Sequence, residues 1–330
     1  MKAYIYQGGF SLVKKSGVGK AIEHQKKMLK AAGIPMAKKW KEASVIHINT
    51  IFPDSLAAAV LAHCQGKKVI YYGHSTMEDF RDSFKGSNEF AFLFKKWICF
   101  CYNRGDIIIT PTKYSKKILQ GYGIRRRIYS LTNGIDTEFF SPRPEYRENF
   151  RKKYHISRDQ KVVISIGHYI KRKGILEFFR LAKQMPDVMF LWFGSTPVRL
   201  LPQEVKNALK HVPDNVILPG FVDSSQIRDA CCGADAFLFM SHEETEGIVV
   251  LEALACQTPV LLRDIQVYRD WMEDGKHVKK ASNFKEYQTI LTEILQNPPL
   301  EMAQRGRNLA LRHSMKAAGK KLRKIYTWEW

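Results

Sequence analysis

The stretch from Ala236 to Leu262 constrains the fold more than any other part of the chain. Ala236-Phe-Leu-Phe-Met240 is an apolar run of strand length, and Pro259-Val-Leu-Leu262 is another. Between them, Ile248 to Cys256 has helical spacing with no internal glycine or proline, and the acidic loop Ser241-His-Glu-Glu-Thr-Glu-Gly247 precedes it. Strand, loop, helix, strand predicts a parallel sheet. It places the loop and the helix N-terminus at the carboxyl end of the strands, where open α/β sheets bind ligands. Gly247 lets a ligand approach the backbone, and the N–H groups of Ile248, Val249 and Val250 then face an anion such as a pyrophosphate. Glu244 lies on the loop and Glu252 about one turn into the helix. Beside an anion site two carboxylates are poor phosphate ligands, but each can accept two hydrogen bonds from sugar hydroxyls.

The same alternation runs through the rest of the chain. In the first half the strand candidates are Ala3–Tyr6, Val45–Asn49, Val69–Tyr72, Ile107–Thr110 and Ile128–Leu131, interleaved with helices at Gly19–Ala32, Asp54–Cys64 and Tyr114–Tyr122. A second series follows, with strands at Val162–Ile166, Met189–Phe193, Val216–Leu218, Ala236–Met240 and Val260–Leu262. The 330 residues are enough for two cores. The expected fold is α/β: two Rossmann-like, doubly wound parallel-sheet domains facing across a cleft. Residues 1–142 form the first domain and 161–309 the second. The charged, proline-interrupted segment 143–160 reads as their linker.

Three further segments carry chemistry. Gly8-Gly9 and Ser16-Gly17-Val18-Gly19 make a glycine-rich loop between the first strand and first helix, able to bring backbone N–H groups to a phosphate or sugar. Its spacing matches neither a dinucleotide fingerprint nor a nucleoside triphosphatase loop. Tyr71-Tyr-Gly-His74 puts a histidine at the carboxyl edge of the first sheet. Gly167-His-Tyr-Ile-Lys-Arg-Lys-Gly174 is a cationic turn before a helix, suited to a leaving group that gains negative charge.

Net charge is +21, and residues 1–150 carry 25 Lys/Arg against 12 Asp/Glu. Such a balance suits nucleic acid or an anionic membrane surface. Nothing resembles a helix-turn-helix, zinc finger or RNA-binding aromatic motif, so no nucleic-acid partner is expected. No apolar run approaches the ~18 residues of a membrane span. The aromatic stretch Phe90 to Tyr102, with Lys95, Lys96 and Trp97, suits an interfacial surface or a lipid-acceptor wall as well as plain core. The six cysteines lack metal-site spacing and read as buried free thiols in a reducing cytoplasm.

Glu244 and Glu252, with seven residues between them, resemble the Glu-x7-Glu motif of retaining glycosyltransferases of the two-domain GT-B fold. Ala253-Leu-Ala-Cys and Thr258-Pro-Val resemble family 4 in particular. The resemblance implies that Glu244 holds donor-sugar hydroxyls and Glu252 the nucleotide ribose, with Gly17 and Gly19 at the donor phosphate and His74 positioning the sugar. It also implies that the segment at Val222 reads the base, normally uracil, and that Lys173 answers the leaving diphosphate. His168 stands where the family usually has Arg, so either Arg172 or Lys171 takes that duty. Gln257 stands where it usually has Gly. No Asp-x-Asp occurs, so no essential metal or other cofactor is expected. In this fold the last helix returns to the first domain, which would place about 310–330 there.

Fuller stretches, such as Val45-Ile-His-Ile-Asn-Thr-Ile-Phe-Pro-Asp-Ser and His74-Ser-Thr-Met-Glu-Asp-Phe-Arg, resemble the Gram-positive glycolipid synthases that add a second hexose to monoglucosyl-diacylglycerol. That resemblance implies a UDP-glucose or UDP-galactose donor, a glycolipid acceptor and the product that anchors lipoteichoic acid. It further implies a cytoplasmic protein held peripherally on the inner face of the cell membrane. The other readings the motifs allow are a glycosyltransferase for capsule or another cell-surface glycan, and, from a different class, a basic nucleic-acid-binding protein.

Overall fold

A computed structural model describes residues 1–10, 14 and 16–329. The apolar runs become two all-parallel sheets. The first contains β1 (Ala3–Ile5), β2 (Val45–Ile48), β3 (Lys68–Tyr72), β4 (Ile107–Thr110) and β5 (Arg127–Ser130), paired in that order. The second contains β6 (Val162–Ile166), β7 (Met189–Phe193), β8 (Val216–Gly220), β9 (Ala236–Phe239), β10 (Val260–Arg263) and β11 (Lys279–Ala281), in the order β11-β10-β9-β6-β7-β8. Helices cover both faces of each sheet, which is why most strands read as continuous apolar runs rather than alternating ones.

The crossovers reverse direction once in each sheet, and the reversals fix where a ligand can sit. In the second sheet β6 leads outward to β7 and β8, and the chain then returns to place β9 on the other side of β6. The loops after β6 and β9, residues 167–174 and 240–247, therefore flank the switch point. In the first sheet the chain leaving β1 passes its outer edge, where Ala3 N donates to Pro35 O (2.9 Å) and Ala37 N to Ala3 O (2.8 Å). It then crosses back to β2 on the other side. The loops after β1 and β2 thus flank the first switch point.

The segment read as a linker is not free of the second domain. Pro144–Lys153 is a helix packed on Ser224–Gly233, with Phe150 in the second-domain core. A Cβ on Gly233 would lie 2.1 Å from the Phe150 ring, so only glycine permits this approach. Arg151 adds an ion pair to Asp235 (3.0 Å) and donates to the carbonyls of Ser157, Arg158 and Gln160. At the other end, Met315–Glu329 lies against the first-domain helix Gly17–Ala31. Ala318 and Leu322 are buried there, and Tyr326 hydrogen-bonds His47 on β2. The thiols are all free, but only Cys101, Cys231 and Cys256 are buried; Cys64 is exposed, against the expectation of burial. No helix among the described residues is long and apolar enough to cross a membrane.

Candidate active site

The two loops at the second-sheet switch point meet backbone to backbone. Gly174, at φ +82°, begins the helix Ile175–Gln184, and a Cβ there would lie 2.6 Å from Met240 O. Gly247, at φ +81°, begins the helix Ile248–Ala255, and its Cβ would lie 2.5 Å from the Tyr268 hydroxyl. Both positions need glycine for conformation and for space. This close seating brings Lys173 Nζ onto Glu244 Oε1, joining the cationic turn to the acidic loop. Burial pushes the Glu244 carboxyl up, but Lys173 and Arg172 outweigh it and hold the group below its ordinary range.

Arg172 is buried and faces the first domain. Its Nε donates to Ser83 Oγ (2.9 Å), and Nη1 reaches Glu243 O (2.6 Å) and Asp79 Oδ1 (3.0 Å), with Glu244 Oε1 at 3.8 Å. Its guanidinium is thus committed to tying the domains together. Lys171 points outward and pairs with Glu204 at 3.3 Å. His168, in the place of the family Arg, bonds the Ser195 carbonyl through Nδ1 (2.8 Å), and burial lowers its pKa. Lys173 is the cation of the turn whose ammonium lies against the sugar-binding candidate Glu244.

Glu252 is fully buried on the helix Ile248–Ala255. One oxygen pairs with Lys20, from the first turn of the helix Gly17–Ala31 across the cleft; the other, Oε2, has no hydrogen-bond partner among the described residues. Of the three N–H groups expected to face an anion, that of Val250 is already used by Gly247 O (2.9 Å). Those of Ile248 and Val249 remain at the helix start. Gly17 is exposed at the head of its helix, where a Cβ would meet nothing within 4 Å, and Gly19 is buried one step on.

His74 is buried just past β3. Its Nε2 meets Asn49 Oδ1 at 2.9 Å, and burial lowers its pKa to about 4, so the ring is neutral at pH 7. A neutral imidazole can orient a hydroxyl but brings no charge. Two further acids from the loop hold the domains together. Glu246 accepts from Thr132 Oγ1, Asn133 N (3.1 Å) and Asn133 Nδ2 (2.7 Å), while Glu243 accepts from Tyr114 OH (3.1 Å).

Comparison with known proteins fits this geometry. Residues 146–321 match the family described as glycosyl transferases group 1, and residues 22–139 match Glycosyltransferase Family 4. The processive diacylglycerol alpha-glucosyltransferase of Acholeplasma laidlawii is 38% identical over 99% of this chain and 98% of its own. This chain is a family 4 glycosyltransferase. The alpha-galactosylglucosyldiacylglycerol synthase of Streptococcus pneumoniae is 27% identical to it over 83% of the chain and 74% of the relative. The glycosyltransferase also shares its fold with Anabaena HepE, solved with UDP and glucose: TM-score 0.81 at 15% identity, covering 98% of both chains.

Elsewhere on the glycosyltransferase, Val222 is half-buried beyond the end of β8 and packs on the second-domain core. The aromatic stretch is the helix Ser87–Tyr102, and its faces divide unlike the expected cluster. Trp97 turns inward and donates to Ile51 O (2.6 Å), and Lys95 lies over the Tyr122 ring (4.6 Å). The outward residues are Phe90 and Phe92, each 61% exposed, with Leu93, Phe100 and Lys96, the last above the Phe92 ring. Sequence reasoning missed Lys20, Asp79, Tyr114 and Glu246, because their partners lie more than 90 residues away and no local pattern marks them.

Proposed function

We propose that this enzyme transfers glucose or galactose, with retention, from a UDP-sugar to a membrane glycolipid, giving a diglycosyl-diacylglycerol. The observation that carries the donor reading is the switch-point pair, Lys173 on Glu244, one helix start away from the half-satisfied carboxylate of Glu252. A UDP-sugar presents matching groups: sugar hydroxyls for Glu244, a diphosphate for Lys173 and the N–H groups of Ile248 and Val249, and ribose hydroxyls for Glu252. With a lysine and a helix N-terminus answering the diphosphate, the reaction is expected to run without added metal.

The acceptor reading rests on the Acholeplasma and Streptococcus relatives and on the outward Phe90, Phe92, Leu93 and Phe100 beside Lys96 and Arg104. An exposed aromatic face among cations suits the boundary between headgroups and acyl chains of an anionic leaflet, here the inner face of the cell membrane. It favours a lipid acceptor over a soluble glycan. The test is incubation with radiolabelled UDP-glucose and UDP-galactose, with and without EDTA, against vesicles containing diacylglycerol, monoglucosyl-diacylglycerol or neither. Label should enter lipid with one donor and be unaffected by EDTA; label entering no lipid in any pairing removes the proposal.

A further inference from the structure

We propose that Lys20 is a positioning residue of the donor site, crossing the cleft from the first domain to hold Glu252 with its second oxygen turned to the nucleotide ribose. The inference rests on the UDP-sugar reading above. Lys20 sits in the first turn of the helix Gly17–Ala31, and Glu252 lies 232 residues further on, in the other domain. Their ion pair is one-sided in burial. The Lys20 side chain is 24% exposed and that of Glu252 not at all, so the lysine reaches from the cleft into a site already closed. Phe140 underlies the ammonium at 5.7 Å and keeps it from turning away.

Two consequences follow for Glu252. A carboxylate bonded through one oxygen has its rotation fixed, so Oε2 points in a set direction, and that atom is buried without a partner among the described residues. An acceptor left so is costly unless a ligand completes it. The lysine also opposes protonation: burial raises the Glu252 pKa, and the charge and hydrogen bond of Lys20 pull it back. The other titratable groups on the surrounding elements do not replace it. His24, one turn along the same helix, is driven to about 4 by burial and by Lys20, and so is neutral. Arg307, from the helix Leu300–Arg312, donates to Ala255 O. Tyr268 and the carboxyl of Glu246 carry no positive charge.

Calorimetric titration of the full chain with UDP and with uridine, at pH 6.0, 7.0 and 8.5, tests this. In Lys20→Gln both ligands should bind roughly 10-fold more weakly at pH 7, the range for one charged hydrogen bond to a sugar hydroxyl. The loss should grow as pH falls, because without Lys20 the buried Glu252 is protonated more readily, and Lys20→Arg, which keeps charge and reach, should stay within about threefold of wild type. A loss confined to UDP and absent for uridine would make Lys20 a phosphate ligand and overturn the inference. Unchanged or tighter binding in Lys20→Gln would overturn it too, showing the pair to be a closure that nucleotide displaces. Should the wild type bind neither UDP nor uridine, the donor reading falls, and this inference with it.

Discussion

Gly194 supports the cationic turn, and replacing it with alanine should cost both stability and turnover. It follows β7 as Gly167 follows β6, and the two face each other just past the paired ends Ile166 and Phe193. At φ +127° the backbone lies where only glycine is comfortable, and a Cβ would stand 2.1 Å from Gly167 O and 2.9 Å from Gly167 C. An unstrained non-bonded contact needs about 3.5 Å. Both sides of the clash are backbone, so the strand ends must part by ~1 Å. The strained φ contributes about 1–3 kcal/mol. Loss of Gly194 N to Gly220 O (2.8 Å) and Gly167 N to Phe193 O (2.9 Å) adds about 1 kcal/mol each. The expected destabilisation of Gly194→Ala is therefore ~3–5 kcal/mol.

The stem of Lys173 packs 3.5 Å from the Cβ position of Gly167, so moving one moves the other, and a shift of ~1 Å at a reacting group costs about 10²-fold in rate. Urea unfolding and single-turnover transfer from UDP-hexose measure the two effects. Gly33→Ala is the control: φ is also positive (+67°), but nothing lies within 4 Å, so it should cost only ~1 kcal/mol and leave turnover alone. Wild-type urea midpoint and turnover in Gly194→Ala would refute the packing argument.

Other perturbations separate the remaining claims. Lys173→Ala should lower turnover by ~10²–10³ while uridine binding stays within twofold of wild type, because the charge it answers develops on the leaving diphosphate; single-turnover kinetics and calorimetry read the two. Glu243 is raised to about 7, chiefly by burial, against an ordinary 4.5. Its contribution is therefore fully present below about pH 4.5 and is lost as pH rises through about 7, roughly 3 kcal/mol in all. Glu243→Gln should flatten the fall of unfolding free energy between pH 5 and 8, and an unchanged slope would assign the effect elsewhere. Gln257 ends the helix Ile248–Ala255 at φ +62°, and Gln257→Gly should raise stability by about 0.5–1 kcal/mol, measured by urea midpoint, since a side chain there is strained.

What the sequence revealed and what it hid divide along physical lines. Buried parallel strands must be apolar on both faces, so nearly all of them stood out as short runs. The exception is β11, Lys-Lys-Ala, a strand of three residues whose two lysines are only half-buried, so neither face demands an apolar side chain there. Glu244, Glu252 and Lys173 could be picked out as candidates because each sits at a fixed offset from a helix start, and the fold brings Lys173 onto Glu244. The return of the chain past Met36 was not readable, since two backbone bonds to Ala3 require no particular side chain. Arg172 looked like Lys173 in sequence, yet adjacent residues of a single turn point apart: one meets Glu244, the other spans to Asp79 and Ser83. The aromatic helix could not be oriented from its composition, because large apolar residues such as Phe92 and Phe100 share the face of Glu89 and Lys96 and blur the polar side.

The charges in the cleft bear on where the excess of +21 can act. Lys20, Arg172 and Lys173 meet Glu252, Asp79 and Glu244, and Glu243 and Glu246 add two more acids. The cleft is therefore not the source of the positive excess, which must lie on outer surfaces such as the one around Lys96 and Arg104. Salt should separate the two regions. Exposed charges are screened beyond ~8 Å at physiological ionic strength and ~3 Å at 1 M, whereas buried pairs are screened much less. Raising salt from about 0.1 to 0.5 M should thus cut the fraction bound to anionic vesicles severalfold and change UDP affinity by less than about threefold. Phe90→Ser with Phe92→Ser should weaken vesicle binding further while leaving its salt dependence intact, since each ring removes about 1.5–3 kcal/mol of apolar burial but no charge. If salt weakens UDP binding as strongly as vesicle binding, the excess charge acts at the donor site, and the separation of the two surfaces is wrong.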